Sequence, residues 1–143
     1  MSVSVVETED PLETEALGAE LAAGLKHGDV VLVRGELGSG KTTFVRGAAR
    51  ALGVTDPITS PTFSIGHRYR ATGTTTVSHL DLYRLADGLL PEDPGLLDDY
   101  LGPGRIAFVE WPVRDSAELE DARVRVTLTH MGEDRRRIEV VEG

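Results

Sequence analysis

Asp29-Val30-Val31-Leu32-Val33-Arg34 followed by Gly35-Glu36-Leu37-Gly38-Ser39-Gly40-Lys41-Thr42 decides the fold. The second block has the spacing G-x-x-x-x-G-K-[ST], a loop whose backbone N–H groups wrap the phosphates of a nucleoside triphosphate. The first block is a short apolar, β-branched run that reads as a buried strand feeding the loop. Beyond it, Thr43 to Leu52 places Phe44, Ala48, Ala51 and Leu52 near helical spacing, with Gly53 as a stop signal. A helix starting at Lys41 aims its unsatisfied N–H groups and positive dipole end at an anion. Gly38, Ser39, Gly40, Lys41, Thr42 and Thr43 are therefore the expected nucleotide-binding residues. Lys41 reaches the β and γ phosphates, and the Thr42 hydroxyl can ligate Mg²⁺.

The rest of the chain fits a small nucleotide-binding domain. Its 143 residues are read as one domain, 1–143, with a core but little room for a second substrate domain. Hydrophobic residues make up 40% and no apolar run reaches membrane-spanning length, so no membrane association is expected. Met1 to Glu7 lacks the basic start and apolar core of a signal peptide, and a cytoplasmic location is expected. Zero cysteines exclude disulfides, thiolate metal sites and thiol catalysis. A metal must then be held by oxygen. The net charge of −9, from 24 acidic and 15 basic residues, argues against strong direct nucleic-acid binding by this chain alone. Arg135-Arg136-Arg137 lies among acids and reads as a charged edge strand or turn rather than an RNA patch.

Ser2 to Val6 alternates weakly as an edge strand, and Asp10-Pro11 offers an N-cap followed by proline at the first helical position. A helix to about His27 is predicted, with Leu12, Ala16, Leu17, Leu21 and Leu25 as its apolar stripe and Gly28 as its end. The Gly, Pro, Thr and Ser-rich stretch from Leu52 to Thr76 reads as a loop leading into an antiparallel strand around His67–Arg70. Further strands are predicted at Val77–Asp81 and Ile106–Val109, with a short helix at Gly95–Leu101 amid acidic loops. Arg123–Thr129 and Arg136–Val141 alternate around Gly132 as a hairpin. The fold class is α/β: a P-loop NTPase three-layer sandwich with a mixed, mainly parallel sheet and a C-terminal β-hairpin.

Ligands in such sheets collect at the carboxyl ends of the strands, which singles out Asp81 and Glu110. An ATPase of this kind needs an acid at the end of a neighbouring strand to hold Mg²⁺, directly or through water. The apolar run before Glu110 favours Glu110 with Thr42 as metal ligands, leaving Asp81 to contact metal-bound water or orient the attacking water. The two roles can be exchanged, and a helix N-cap and a solvated strand end are the plain alternatives. Lys41, Asp81 and Glu110 form the predicted catalytic set. Thr59-Ser60-Pro61-Thr62-Phe63 is either a turn or a loop that senses the γ phosphate, and Thr62 is a candidate switch or partner contact. Trp111, the only tryptophan, either packs or faces the nucleotide or a partner. His79 shares a strand face with Asp81 and reads as structural, while Arg84 has a phosphate contact and a salt bridge as equal readings.

Four blocks stand in order: Gly35 to Thr43, Ser60-Pro61-Thr62-Phe63, His79-Leu80-Asp81-Leu82-Tyr83-Arg84-Leu85 and Val109-Glu110-Trp111-Pro112. Together they resemble the bacterial TsaE (YjeE) family of tRNA threonylcarbamoyladenosine biosynthesis. Glu36 and Ser39 stand where that family's loop carries Asp and Ala. The likeness runs from the N-terminal helix to Pro112, whereas Gly88–Gly104 and the C-terminal hairpin match poorly. The resemblance implies an ATPase that uses ATP and Mg²⁺ and works with TsaD and TsaB. It also implies that Lys41, Thr42, Asp81, Glu110 and Trp111 are needed for activity. Two other functions fit the loop: a small-molecule P-loop kinase, and a non-hydrolysing nucleotide-dependent binding module. No Asn-Lys-x-Asp occurs, so guanine selectivity has no visible basis.

Overall fold

Among the described residues, Val30–Arg34 forms strand β2 at the centre of a seven-stranded sheet, flanked on both sides by parallel neighbours. In the computed structural model the described residues are 2–36, 38–59, 66–81, 100–110 and 122–143. They form β1 (Ser2–Thr8), α1 (Pro11–Ala22), β2, α2 (Lys41–Ala51), β3 (Gly66–Arg70), β4 (Thr76–Asp81), β5 (Arg105–Glu110), β6 (Val124–His130) and β7 (Arg136–Glu142). The sheet order is β1-β7-β6-β2-β5-β4-β3. Pairings of β2 with β5 and β6, and of β4 with β5, are parallel; β3 at one edge and β7 and β1 at the other run antiparallel. This is the mixed α/β arrangement expected from the sequence, parallel at its centre.

The parallel centre brings the carboxyl ends of β2, β4 and β5 to one edge of the molecule. Strand parity sorts the side chains. Val31, Val33, Val77, Ile106 and Phe108 face α2 and pack with Phe44, Val45 and Ala48, all essentially inaccessible to solvent. Each such buried Val, Ile or Phe contributes roughly 1.5–3 kcal/mol. Leu32, Leu80 and Val109 face the other way and form a smaller cluster with Tyr100, Leu101 and Ala122. His79, Asp81 and Glu110 share parity with Val77 and Phe108, which puts them on the α2 face.

Helix α1 begins where the sequence places it. Asp10 accepts the Glu13 N–H at 2.9 Å, and the Glu13 carboxylate accepts the Glu9 N–H at 2.9 Å, a reciprocal cap. Its end and its buried face differ from expectation. The α-helix stops at Ala22, not His27, because Gly24 and Leu25 close tighter turns onto Leu21 and Ala22. The Asp29 side chain then accepts the Lys26 N–H at 2.7 Å and draws the chain into a turn. The buried stripe is Thr14, Gly18 and Ala22, while Leu12 is 75% exposed and Ala16 is exposed. Leu17, Leu21 and Leu25 flank the core partly buried.

Close helix crossing explains that stripe. A Cβ at Gly18 would collide with the Phe44 carbonyl of α2, and one at Gly47 with the Glu15 carbonyl of α1. The two backbones touch where neither has a side chain. Size, not hydrophobicity, selects the residues at this contact. Arg46 adds a polar tie from α2, lying 3.6 Å from Glu15 and donating to the Ile58 carbonyl at 3.2 Å. The hairpin around Gly132 is present as β6 and β7, with β6 shifted one residue later than predicted and β7 one residue longer at its end. The helix expected at Gly95–Leu101 lies almost entirely outside the described residues.

Candidate functional site

The loop between β2 and α2 turns at Gly40, which caps the helix in the left-handed region at φ 96°. A side chain there would be strained, so glycine sets the direction of the first helical turn. Lys41 follows at the first helical position and is only 5% exposed. Its ammonium folds back over the loop and donates to the carbonyls of Gly35 at 2.9 Å and Glu36 at 3.0 Å. Burial lowers its pKa from the ordinary lysine value, and the charges of Glu110 and Asp81 oppose that shift. The Ser39 N–H also donates to the Glu36 carbonyl at 3.0 Å, and the buried Ser39 hydroxyl has no partner among the described residues.

Strand pairing brings the acids to this loop. Asp81 at the end of β4 stands in register with Glu110 at the end of β5. Asp81 is half-buried, whereas Glu110 is 2% exposed. The Thr42 hydroxyl lies 3.4 Å and 3.5 Å from the two Glu110 carboxylate oxygens. Those separations are long for a direct hydroxyl–carboxylate bond. One small hard cation can be shared across such a gap. Mg²⁺ keeps several waters and asks a protein for one or two oxygen ligands beside substrate phosphates. Thr42 and Glu110 fit that donor set, and among the described residues no larger cluster of His, Asp and Glu suits a metal.

His79 completes the arrangement. It is wholly buried on β4 and its Nε2 meets a Glu110 carboxylate oxygen. Its Nδ1 has no partner among the described residues. The structural reading of His79 stands, and the group it holds is the Glu110 carboxylate at the end of β5. The two-residue spacing of His79 from Asp81 was the available signal, since period-2 parity puts both on the Glu110 face. Arg136 was missed altogether. Its guanidinium donates to the Gly38 carbonyl at 2.9 Å from a strand 98 residues further along. Only the sheet order, with β6 beside β2 and β7 beyond β6, could have found it.

The structure thus gathers Gly38, Ser39, Gly40, Lys41, Thr42, Thr43, Asp81 and Glu110 at one edge of the sheet. Thr62, Trp111, Tyr83 and Arg84 lie outside the described residues.

The family model "Threonylcarbamoyl adenosine biosynthesis protein TsaE" matches residues 8–138. The chain belongs to the TsaE family. The match takes in the β6–β7 hairpin down to Ile138, which the likeness seen in the sequence had stopped short of. Among relatives, the TsaE protein of Bacillus subtilis is 39% identical over 92% of this chain and 80% of its own length. That of Treponema pallidum is 36% identical over 90% of this chain and 93% of its own. The crystal structure of Bacillus subtilis YdiB superposes with a TM-score of 0.78 at 33% identity, covering 99% of this chain and 87% of that one. TsaE family proteins take part in tRNA threonylcarbamoyladenosine biosynthesis. Among the described residues of this TsaE chain, no helix is long and apolar enough to cross a membrane.

Proposed function

We propose that this TsaE protein is a Mg²⁺-dependent ATP hydrolase that supports threonylcarbamoyladenosine modification of tRNA by TsaD and TsaB type proteins in the cytoplasm. The observation that carries the reading is the convergence of the Lys41 ammonium, the Thr42 hydroxyl and the Glu110 carboxylate at the start of α2. In this mechanism the loop amides and Lys41 bind the β and γ phosphates, the ammonium exchanging its carbonyl partners for phosphate oxygens. Thr42 and Glu110 would hold Mg²⁺, which would neutralise charge on the phosphates when bound. Asp81, next to Glu110, accepts a proton from water and orients it toward the γ phosphorus. His79 keeps one Glu110 oxygen engaged and so fixes the carboxylate's rotation.

The net charge of −9 supports an accessory role, since tRNA is then held by the partner proteins. Pull-down with TsaD and TsaB in the presence of ATP, ADP or no nucleotide, with phosphate release followed in parallel, tests the reading. Nucleotide-dependent capture together with release of free phosphate is the expected result. Phosphate appearing on a metabolite would favour a kinase, and unchanged capture by a protein that never turns over would favour a binding module.

A further inference from the structure

β1 is the outermost strand of the sheet and pairs only with β7, so its other backbone edge has no strand beside it among the described residues. Every residue from Ser2 to Glu7 is exposed. Val3 is 56% exposed, Val5 47% and Val6 39%, so β1 gathers most of the exposed large hydrophobic side chains among the described residues. Edge strands are ordinarily guarded by charge, proline or a bulge. At the opposite edge β3 carries Arg68 and Arg70. Ser2-Val3-Ser4-Val5-Val6 has no charge and no proline, and its ladder to β7 advances one residue at a time without a bulge.

Period-2 parity sorts the strand. Ser4 and Val6 stand beside Val140 and Ile138 of β7 on the face that packs against α2, whereas Val3 and Val5 stand beside Val141 and Glu139 on the other face. The acids that follow are answered within the chain. Glu7 stands opposite Arg137, and the Glu9 carboxylate lies 3.6 Å from Arg135. The net charge of −9 is thus kept off Ser2 to Val6.

An uncharged strand with this alternation is complementary to itself. Laid antiparallel about Ser4, Val3 meets Val5 of a second copy, Ser4 meets Ser4, and Ser2 meets Val6, each pair on one face. The two Glu7 carboxylates then sit about 20 Å apart along the strands, well beyond a Debye length of about 8 Å. Centring on Val5 instead would set Val3 against Glu7. On the face away from α2, the Ser4 register joins Val3, Val5 and Val141 of both copies into one apolar patch.

We propose that two copies of this chain pair through the outer edges of β1, antiparallel and centred on Ser4, joining two seven-stranded sheets into one. The junction lies three strands, about 14 Å, from β2, so each copy keeps its own phosphate loop open. A contact of one short strand a side is small beside the roughly 20–30 residues of a standard interface, so the dimer is weak and concentration-dependent.

The chain has no cysteine, so one introduced thiol reports the register. Directly opposed residues of an antiparallel pair have Cα atoms about 4.5–5.5 Å apart, within disulfide reach. Under mild oxidation of the full chain, Ser4→Cys should form roughly tenfold more covalent dimer than Ser2→Cys or Val6→Cys alone, whose like positions lie about 14 Å apart. An equimolar mixture of those two variants should cross-link one to the other. Light scattering should show the wild-type mass rising toward that of a dimer as concentration approaches about 100 μM. Val5→Lys places a charge on the edge and should restore the monomer, with the melting temperature unchanged because Val5 is not in the core. Covalent dimer from Ser4→Cys no greater than from Ser2→Cys, or a dimer mass that survives Val5→Lys, overturns the pairing. A wild type that stays monomeric over that range overturns it too and leaves the edge to a strand from a different protein.

Discussion

The two flanks of β2 meet the same loop with opposite chemistry. On the β5 and β4 side stand Glu110, Asp81 and the buried His79; on the β6 and β7 side stands Arg136, with Asp134 at the turn. Both flanks run parallel to β2 where they touch it, so both deliver residues to the carboxyl edge of the sheet. The acidic flank offers oxygen donors of the kind a metal and water use, and the basic flank braces the loop through the bond from Arg136 to the Gly38 carbonyl. Substitutions on the first flank should therefore strike turnover and those on the second nucleotide affinity.

The largest effect should come from the group both flanks share. Lys41→Ala is expected to lower phosphate release by at least a hundredfold, the scale of losing one charge-stabilising donor. On the acidic flank, Glu110→Gln keeps the shape and removes the charge, so kcat should fall about a hundredfold with a smaller change in ADP affinity. A comparable loss from Arg136→Ala in kcat rather than affinity would erase the contrast between the flanks. His79→Ala should lower kcat about tenfold by freeing the carboxylate, with KM for ATP nearly constant. Partial rescue by His79→Gln would sharpen the positioning role, because it restores a donor toward Glu110.

The helix crossing beneath both flanks offers a control in stability alone. Gly47→Ala must push α1 and α2 apart and is expected to cost about 1–3 kcal/mol in urea unfolding, with both flanks affected alike. The smallest effect concerns pH. Lys41 has a lowered pKa in the folded state, chiefly from burial, so the unfolded chain binds more protons in the window just below its ordinary value of 10.5. Its contribution to stability therefore rises as pH climbs through that window. Tyr69, raised by burial, acts with the opposite sign near and above 10.0. The difference between wild type and Lys41→Met in unfolding curves cancels Tyr69 and isolates the lysine, and it should narrow as pH rises toward 10.5.

The acidic flank was legible because each of its parts leaves a local mark. Gly35 to Thr42 is a contiguous motif, the apolar runs ending in Asp81 and Glu110 are strand signals, and parity ties His79 to both. The basic flank leaves none. Arg136 sits in a charged run that reads as a solvated edge, and its reach to Gly38 exists only once β6 pairs with β2. The contact face of α1 was misread for a related reason: Thr14, Gly18 and Ala22 carry little hydrophobicity, and their burial follows from how closely α2 approaches. Periodicity finds apolar stripes, but a crossing built on glycine is a property of the pair of helices.

One measurement reaches the central claim most directly. Multiple-turnover formation of threonylcarbamoyladenosine on tRNA by TsaD and TsaB, supplied with the activated threonylcarbamoyl donor and Mg²⁺–ATP, can be compared with wild-type protein and with Lys41→Ala. Sustained modification with the wild type, and with Lys41→Ala no more than without the protein, is the expected result. Equal modification by both proteins would contradict the assignment of ATP turnover at Lys41, Thr42 and Glu110 to this function.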